Sequence, residues 1–230
     1  MRIGIIGSAG GSAFDEIVKI LNEVSPGEHE FFVVTDRECS LELKCKFHKI
    51  PCKRIEDSDN YYFSEKAKKH FDQIGQIDFV LLFFSRLVTE VLFTNYVTFN
   101  IHPSLLPAFK GMSAARKMIS SSVKFIGATL HLVDETIDMG PIIAQLSMPV
   151  SSKLNENLLN KYSFIHKVYL GLLAIELLET KSINISRQSK GIFYSKELPY
   201  TDRCNPSLAN LELIQAVKRL QDEVNVEVIF

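Results

Sequence analysis

Short runs of residues that are apolar throughout alternate, in the first half of the chain, with stretches of helical spacing. Residues 31–34 (FFVV) and 79–84 (FVLLFF) contain no polar side chain. In residues 13–23, by contrast, apolar side chains recur about every three to four positions, as on one face of a helix. Strands without polar alternation are buried on both faces, which is typical of a parallel sheet covered by helices. The pattern therefore predicts an α/β fold of that kind.

The same reading assigns elements along the whole chain. The predicted strands lie at 2–6, 31–34, near Cys52, and at 79–84, 97–101, 127–133 and 142–150. The predicted helices span 13–23, 40–47, 64–73, 155–179 and 207–220, with Ser207 as the N-cap of the last one. Polar composition, Gly191 and two prolines predict an irregular segment at 181–206. Apolar residues that alternate with polar ones from Val224 onward predict a terminal strand.

Composition and charge argue against several classes of protein. The 230 residues are 46% hydrophobic and 23% charged, as in ordinary globular proteins with a full core. A net charge of −1 gives no general attraction to nucleic acid. No apolar run reaches the roughly 18–20 residues of a membrane span, and no signal-peptide pattern opens the chain. A cytoplasmic protein is expected, with its four cysteines reduced because none form a CxxC pair.

Polar side chains follow two of the predicted strands. Asn100 and His102 come after an apolar run and stand directly before Pro103, while Asp138 closes an acidic loop after the strand at 127–133. Ligands of parallel sheets bind beyond the carboxyl ends of the strands. An amide, an imidazole and a carboxylate can polarise a carbonyl, protonate a leaving nitrogen and keep the imidazole charged. The sequence therefore predicts a catalytic site for acyl-type transfer.

Other candidate residues have two interpretations. The turn at 7–12 lacks the GxGxxG spacing, so it is either an anion-binding turn at a helix N-terminus or a tight connection. Asp36, which follows the second strand, is either a ribose contact or a cap. His131 lies inside an apolar strand, where a satisfied core histidine is the simpler interpretation. The other histidines lack metal-ligand spacing.

Three segments together resemble the folate-dependent formyltransferases, which use 10-formyltetrahydrofolate. They read NIHPSLLPAFKG at 100–111, GATLHLV at 127–133 and DMGPI at 138–142. The resemblance covers about residues 1–180 and implies a Rossmann-like, mostly parallel sheet with helices on both faces. It divides the chain into a catalytic domain, 1–180, and a C-terminal extension, 181–230.

The resemblance also implies roles for individual residues. Asn100 would bind the formyl oxygen, His102 would add positive charge beside it, and Asp138 would hold His102 charged and relay protons through a water. The main chain of Arg86, Leu87 and Val88 would contact the pterin. On its other side would lie Val133, Asp134, Glu135, Thr136 and Ile137. Thr129 and His131 would support this machinery, and no metal is implied.

The formyl acceptor is predicted from departures from the family pattern. Ala13 and Ile165 replace the polar residues that the glycinamide ribonucleotide enzymes carry, which favours the amine of a nucleotide-linked amino sugar. Phosphoribosylglycinamide, of purine biosynthesis, is the alternative; a formyltetrahydrofolate hydrolase and a non-catalytic folate-binding module rank lower, and a transfer RNA acceptor lowest. The apolar tail after Val224 is a candidate for pairing with a second copy. The predicted acceptor-binding residues are Gly10, Gly11, Ser12, Pro103, Arg116 and Tyr194.

Overall fold

The computed structural model describes residues 1–150, 154–186 and 191–226. The chain forms two compact units, which we call unit 1 and unit 2. Unit 1 comprises residues 1–100 and 132–135, and unit 2 comprises residues 101–131 and 136–230.

Unit 1 contains a parallel sheet. Its strands are β1 (Arg2–Gly7), β2 (Glu30–Thr35), β3 (Cys52–Arg54), β4 (Phe79–Phe83) and β5 (Thr98–His102), the last two residues of β5 belonging to unit 2. The hydrogen-bonded order is β3-β2-β1-β4-β5, and every neighbouring pair is parallel. The helices are α1 (Ser12–Val24), α2 (Ser40–Phe47), α3 (Asn60–Ile74) and the short α4 (Glu90–Phe93).

The core of unit 1 follows from the sequence pattern. Strands β1 and β4 are buried along nearly their whole length, as expected for parallel strands without polar alternation. Helix α1 buries the predicted face, which includes Phe14, Ile17 and Leu21. Asp59 starts α3, because its carboxylate accepts hydrogen bonds from the main-chain N–H groups of Tyr61 and Tyr62.

Unit 2 has antiparallel pairing. After α5 (Ala114–Ile119), strand β6 (Phe125–Leu132) pairs antiparallel with β7 (Ile142–Pro149), which pairs in turn with β10 (Cys204–Asn205). Strands β8 (Ile183–Ser186) and β9 (Gly191–Tyr194) form a separate antiparallel pair. The two long helices are α6 (Glu156–Glu179) and α7 (Leu211–Val224). The predicted fold class, a mostly parallel sheet with helices, is confirmed.

The C-terminal part differs from the prediction in three places. The segment 181–206 is not irregular throughout, since it contains β8, β9 and β10, each only two to four residues long. The last helix begins at Leu211 and not at Ser207, with Asn210 as its N-cap. The Glu176 carboxylate accepts hydrogen bonds from the N–H groups of Ala209 and Asn210, which fixes these residues ahead of the helix. Val224 ends α7, and residues 227–230 of the predicted terminal strand lie outside the described residues.

No helix in the described ranges has both the length and the apolar character that crossing a membrane requires. The four cysteines are free thiols, as predicted. The proposed boundary at residue 180 stays a prediction.

Candidate active site

His102, the last residue of β5, is buried between two oxygen acceptors in unit 2. Its Nδ1 lies 3.2 Å from Oδ2 of Asp138, and its Nε2 lies 2.9 Å from the main-chain oxygen of Phe109. Only 5% of the residue surface is exposed. A neutral imidazole has one ring nitrogen without a proton, which would face an acceptor with its own lone pair. A doubly protonated ring would have a proton to direct at each of these oxygens.

Asp138 is held by two further groups of unit 2. The main-chain N–H of Gly111 donates a 2.7 Å hydrogen bond to Oδ2, and Nε2 of His131 lies 3.6 Å from Oδ1. Asp138 has a φ of 53° and Gly111 a φ of 75°. This left-handed region is uncommon for residues with a side chain, and aspartate tolerates it better than most. The carboxylate thus ties the loop at Gly111 to the loop that follows β6.

A buried hydrogen-bond network supports the chain just after His102. The hydroxyl of Thr129 donates to the main-chain oxygen of Ser104 at 2.7 Å and accepts from the N–H of Leu106 at 3.0 Å. The Gln145 amide donates to the oxygen of Leu106 at 2.7 Å. Thr129 and Gln145 lie opposite each other in the register of β6 and β7. Because buried polar groups are costly when unpaired, this network fixes the turn that carries Pro103.

Asn100 lies in unit 1, on the same strand as His102. It is half-buried and pairs with Leu82 of β4 in the parallel register. Side chains two positions apart on a strand leave the same face. The amide and the imidazole therefore project from one face of β5, as the sequence predicts.

Two of the segments predicted to contact folate meet in unit 1. Val88 belongs to a buried apolar cluster, and Val133 packs against that same cluster. The side chain of Arg86 is used elsewhere: its guanidinium donates to the main-chain oxygens of Asp57 at 2.6 Å and Ser58 at 2.9 Å, and to the side chain of Asn60. Leu87 and Glu135 are exposed and Asp134 is half-buried; in unit 2, Thr136 and Ile137 are exposed.

The glycine-rich turn follows β1 in unit 1. Gly11 is the N-cap of α1 with a φ of 64°, and no side chain caps the helix. A Cβ on Gly11 would lie 2.6 Å from Leu41 of α2, so close packing requires glycine there. The Ser8 hydroxyl lies 2.7 Å from that of Ser85, which follows β4. In the sheet, β2 lies on one side of β1 and β4 lies on the other, so the strand order reverses at β1. The turn after β1 therefore lies at a topological switch point, where parallel sheets bind ligands.

The remaining predicted acceptor residues lie on different elements of unit 2. In unit 2, Pro103 follows His102 directly, whereas Arg116 is exposed on α5 and Tyr194 is exposed on β9. Over the described ranges, the hydrogen bonds and ion pairs connect neither Arg116 nor Tyr194 to His102 or Asp138.

Sequence reasoning missed several groups that the site uses. The Phe109 oxygen and the Gly111 N–H are main-chain atoms, which leave no signature in the sequence. Nothing in the sequence pattern marked Gln145, although its position opposite Thr129 on the neighbouring strand explains why it can bind the oxygen of Leu106. His131 was interpreted both as a core residue and as a support. Its 2% exposure and its distance to Asp138 fit both interpretations.

Comparison with known proteins assigns the chain to a family. The profile of the family described as formyl transferase matches residues 1–168, so the chain belongs to this family. A phosphoribosylglycinamide formyltransferase of Bacillus subtilis (strain 168) is 33% identical over 156 residues, which are 65% of this chain and 80% of that protein. The predicted resemblance is thus confirmed, and with it the enzyme class, a formyltransferase of the group that uses 10-formyltetrahydrofolate.

Two further comparisons add detail. The crystal structure of glycinamide ribonucleotide transformylase 1 from Symbiobacterium toebii is similar with a TM-score of 0.76 and 26% identity, over 85% of this chain and 94% of that one. Formyltetrahydrofolate deformylase 1 of Arabidopsis thaliana is 37% identical over 106 residues, which are 42% of this chain and 32% of that protein.

Proposed function

We propose that this protein transfers the formyl group of 10-formyltetrahydrofolate to the primary amine of phosphoribosylglycinamide. The choice of acceptor is inferred from the similarity to the Bacillus subtilis phosphoribosylglycinamide formyltransferase, which extends over 80% of that protein. The sugar-nucleotide acceptor predicted from the sequence has no such support, and it becomes the second acceptor to test.

The proposed chemistry assigns one task to each polar group of the site. Asn100 donates hydrogen bonds to the formyl oxygen, where negative charge develops as the amine attacks. His102, charged between Asp138 and the Phe109 oxygen, stabilises the same charge. Asp138 accepts a proton from the attacking nitrogen through a water and returns it to the departing folate nitrogen. The new C–N bond forms first and gives a tetrahedral intermediate; as that intermediate collapses, the C–N bond to folate breaks, and no metal takes part in the proposed steps.

In unit 1, we assign the binding of the folate pterin to the main chain of residues 86–88 and 133–135. Both segments lie on the same apolar cluster, which suits the flat faces of an aromatic ring. The Arg86 guanidinium holds its own loop in place, so a neutral replacement at this position would act through the loop and not through a lost contact with folate.

The same unit supplies the proposed phosphate site. The first N–H groups of α1 have no side-chain cap, and the helix dipole favours an anion there. Ala13 carries no polar group, and its side chain is buried. We therefore assign the acceptor phosphate to the main chain of residues 10–12. The Ser8–Ser85 hydroxyl pair ends the two neighbouring strands and adds polar atoms to this turn.

An acceptor screen tests the proposal. The purified protein is incubated with 10-formyltetrahydrofolate and, separately, with phosphoribosylglycinamide, an aminodeoxy-sugar nucleotide or no amine. Products are followed by mass spectrometry for the addition of one formyl group and by absorbance for release of tetrahydrofolate. We expect formylation of phosphoribosylglycinamide, with a kcat/KM at least about tenfold above that for the sugar nucleotide, which corresponds to about 1.4 kcal/mol.

Each other outcome has a distinct meaning. Formylation of the sugar nucleotide alone would restore the acceptor predicted from the sequence and reject phosphoribosylglycinamide. Release of tetrahydrofolate without any amine would identify a hydrolase. Folate binding without turnover in any arm would indicate a binding module.

A further inference from the structure

Two serine hydroxyls meet where strands β1 and β4 of unit 1 end. Ser8 directly follows β1, and Ser85 is the second residue after β4. Their Oγ atoms lie 2.7 Å apart, and the main-chain N–H of Ser85 donates to Oγ of Ser8 at 2.9 Å. Neither residue belongs to the predicted catalytic, folate-binding or acceptor-binding sets.

The hydroxyl pair lies at the carboxyl end of the β1–β4 pairing. The two strands are parallel, with Gly7 opposite Phe83, so Ser8 and Ser85 extend beyond the same edge of the sheet. This edge is where the strand order reverses and where parallel sheets bind ligands. Along the chain, Ser8 precedes the turn at 10–12, to which we assign the acceptor phosphate, and Ser85 precedes residues 86–88, to which we assign the pterin.

The number of hydrogens in the pair leaves one O–H without an acceptor inside it. A serine hydroxyl has one hydrogen and two lone pairs, and one of these two hydroxyls donates to the other. Among the residues that the structure describes, neither hydroxyl has a further hydrogen bond. Ser8 is 7% exposed, whereas Ser85 is exposed. Because an unpaired polar hydrogen is costly when buried, Ser8 donates to Ser85, and the O–H of Ser85 is available to a ligand.

We propose that the Ser85 hydroxyl binds a ribose hydroxyl of the acceptor and that Ser8 is the positioning residue that orients it. The inference rests on the proposed function, because phosphoribosylglycinamide has its ribose between the phosphate and the reacting amine. Oγ of Ser85 accepts one hydrogen from Ser8, so it has one hydrogen to donate and one lone pair left. A ribose hydroxyl can use both, since it also donates and accepts.

This contact would make Ser85 a specificity-determining residue. A site that hydrogen-bonds a substrate hydroxyl discriminates against an analogue that lacks this group, because the protein group then loses its partner. The bond is present before, during and after formyl transfer, so it contributes to binding in the ground state and in the transition state alike. Its loss should therefore raise KM for the acceptor and leave kcat nearly unchanged.

The test compares phosphoribosylglycinamide with two analogues in which the ribose hydroxyl at C2 or at C3 is replaced by hydrogen. KM and kcat are measured at saturating 10-formyltetrahydrofolate. For the unaltered protein, one of the analogues should have a KM about tenfold above that of phosphoribosylglycinamide, the usual effect of one hydrogen bond. In Ser85→Ala, KM for phosphoribosylglycinamide should rise about tenfold, and its advantage over that analogue should fall to within about twofold.

Three further variants separate recognition from structure. Ser85→Thr keeps a hydroxyl and should keep the preference for the complete ribose. Ser8→Ala should weaken the same preference, because the Ser85 hydroxyl loses the partner that orients it. Ser25→Ala is the matched control: its hydroxyl donates to the main-chain oxygen of Leu21 at the other end of α1. This control should keep every KM within about twofold of the unaltered value.

Two results would overturn the inference while the proposed function stands. One is formylation of all three acceptors by the unaltered protein with equal KM values. The other is a preference for the complete ribose that persists undiminished in Ser85→Ala. If the unaltered protein does not formylate phosphoribosylglycinamide at all, the proposed function fails and the inference fails with it. That outcome is recognised before any variant is measured.

Discussion

Two histidines of unit 2 are about equally buried, and their surroundings differ. His102, at the end of β5, is 5% exposed and has an oxygen acceptor at each ring nitrogen. His166, in α6, is 2% exposed, stacks on Tyr162 at 6.3 Å, and has no hydrogen-bond partner at Nε2 among the residues that the structure describes. Burial lowers the pKa of His166 to about 3. Hydrogen-bond and ion-pair partners, more than burial, therefore decide whether a buried imidazole can carry a positive charge.

The difference follows the elements that carry the two rings. A strand that ends at a loop places its last side chain beside main-chain and carboxylate oxygens, as at His102. The middle of a long helix has its main-chain groups already paired, and its side chains meet other apolar side chains. Buried residues on both sides of His166, such as Ile165 and Val168, make its surroundings apolar. The strand end explains why His102 has oxygen acceptors beside it, and the middle of the helix explains why the ring of His166 stays neutral.

The largest expected effect comes from removing the charge beside His102. Asp138→Asn keeps an oxygen for the Gly111 N–H and suits the left-handed φ of 53°. It should lower kcat for formyl transfer by about 10²–10⁴-fold, the usual range for a lost acid–base group. Steady-state kinetics checks this, with Asp222→Asn on the exposed surface of α7 as the control. Turnover within about threefold of the unaltered protein would show that the Asp138 carboxylate is dispensable for formyl transfer.

The next effect concerns His166 and the dependence of stability on pH. Its folded-state pKa of about 3 lies below the ordinary histidine value of 6.5, so around pH 5 the unfolded chain binds a proton that the folded chain does not bind. The stability from the neutral ring is therefore complete above about pH 6.5 and is lost as the pH falls toward 3. From pH 6.5 to 5, the unaltered protein should lose about 1.5 kcal/mol more unfolding free energy than His166→Leu.

Urea denaturation at several pH values measures this difference. His70→Leu is the matched control, because His70 is only partly buried, although burial lowers its pKa too. It should change the pH slope less than His166→Leu does. Equal slopes for the unaltered protein and His166→Leu would mean that the buried ring gains a proton in the folded state, and that it has a partner after all.

The smallest expected effect distinguishes the loss of stability caused by backbone strain from a loss of kcat. Gly111 has a φ of 75° and Gly27 a φ of 80°, and open space surrounds the position of an added Cβ at both. Gly111→Ala and Gly27→Ala should each cost about 1 kcal/mol of unfolding free energy. Only Gly111→Ala should also lower kcat, by about tenfold, because it tilts the N–H that holds Asp138. A similar kcat in both variants would show that the hydrogen bond from the Gly111 N–H to Asp138 does not contribute to catalysis.

Much of the fold and several residues of the candidate site could be predicted from the sequence, and the parts that could not depend on contacts that form only in the folded chain. His102 follows an apolar run, Asp138 closes the acidic loop after a predicted strand, and α2 was predicted with its observed bounds. The Phe109 oxygen was not predictable, since every residue has a carbonyl and only the folded loop aims one at His102. The helix start at Asn210 depends on Glu176, a contact between residues far apart in sequence. Strands β8, β9 and β10 are too short for a clear periodicity.

The most direct test of the central claim is the protonation of the two rings in the active enzyme. Long-range proton–nitrogen NMR on protein labelled with ¹⁵N-histidine distinguishes a doubly protonated imidazole from a neutral tautomer, and single variants assign the signals. We expect two protonated ring nitrogens for His102, with the signal changed in Asp138→Asn, and one neutral tautomer for His166. A neutral tautomer at His102 in enzyme that turns over normally would contradict it.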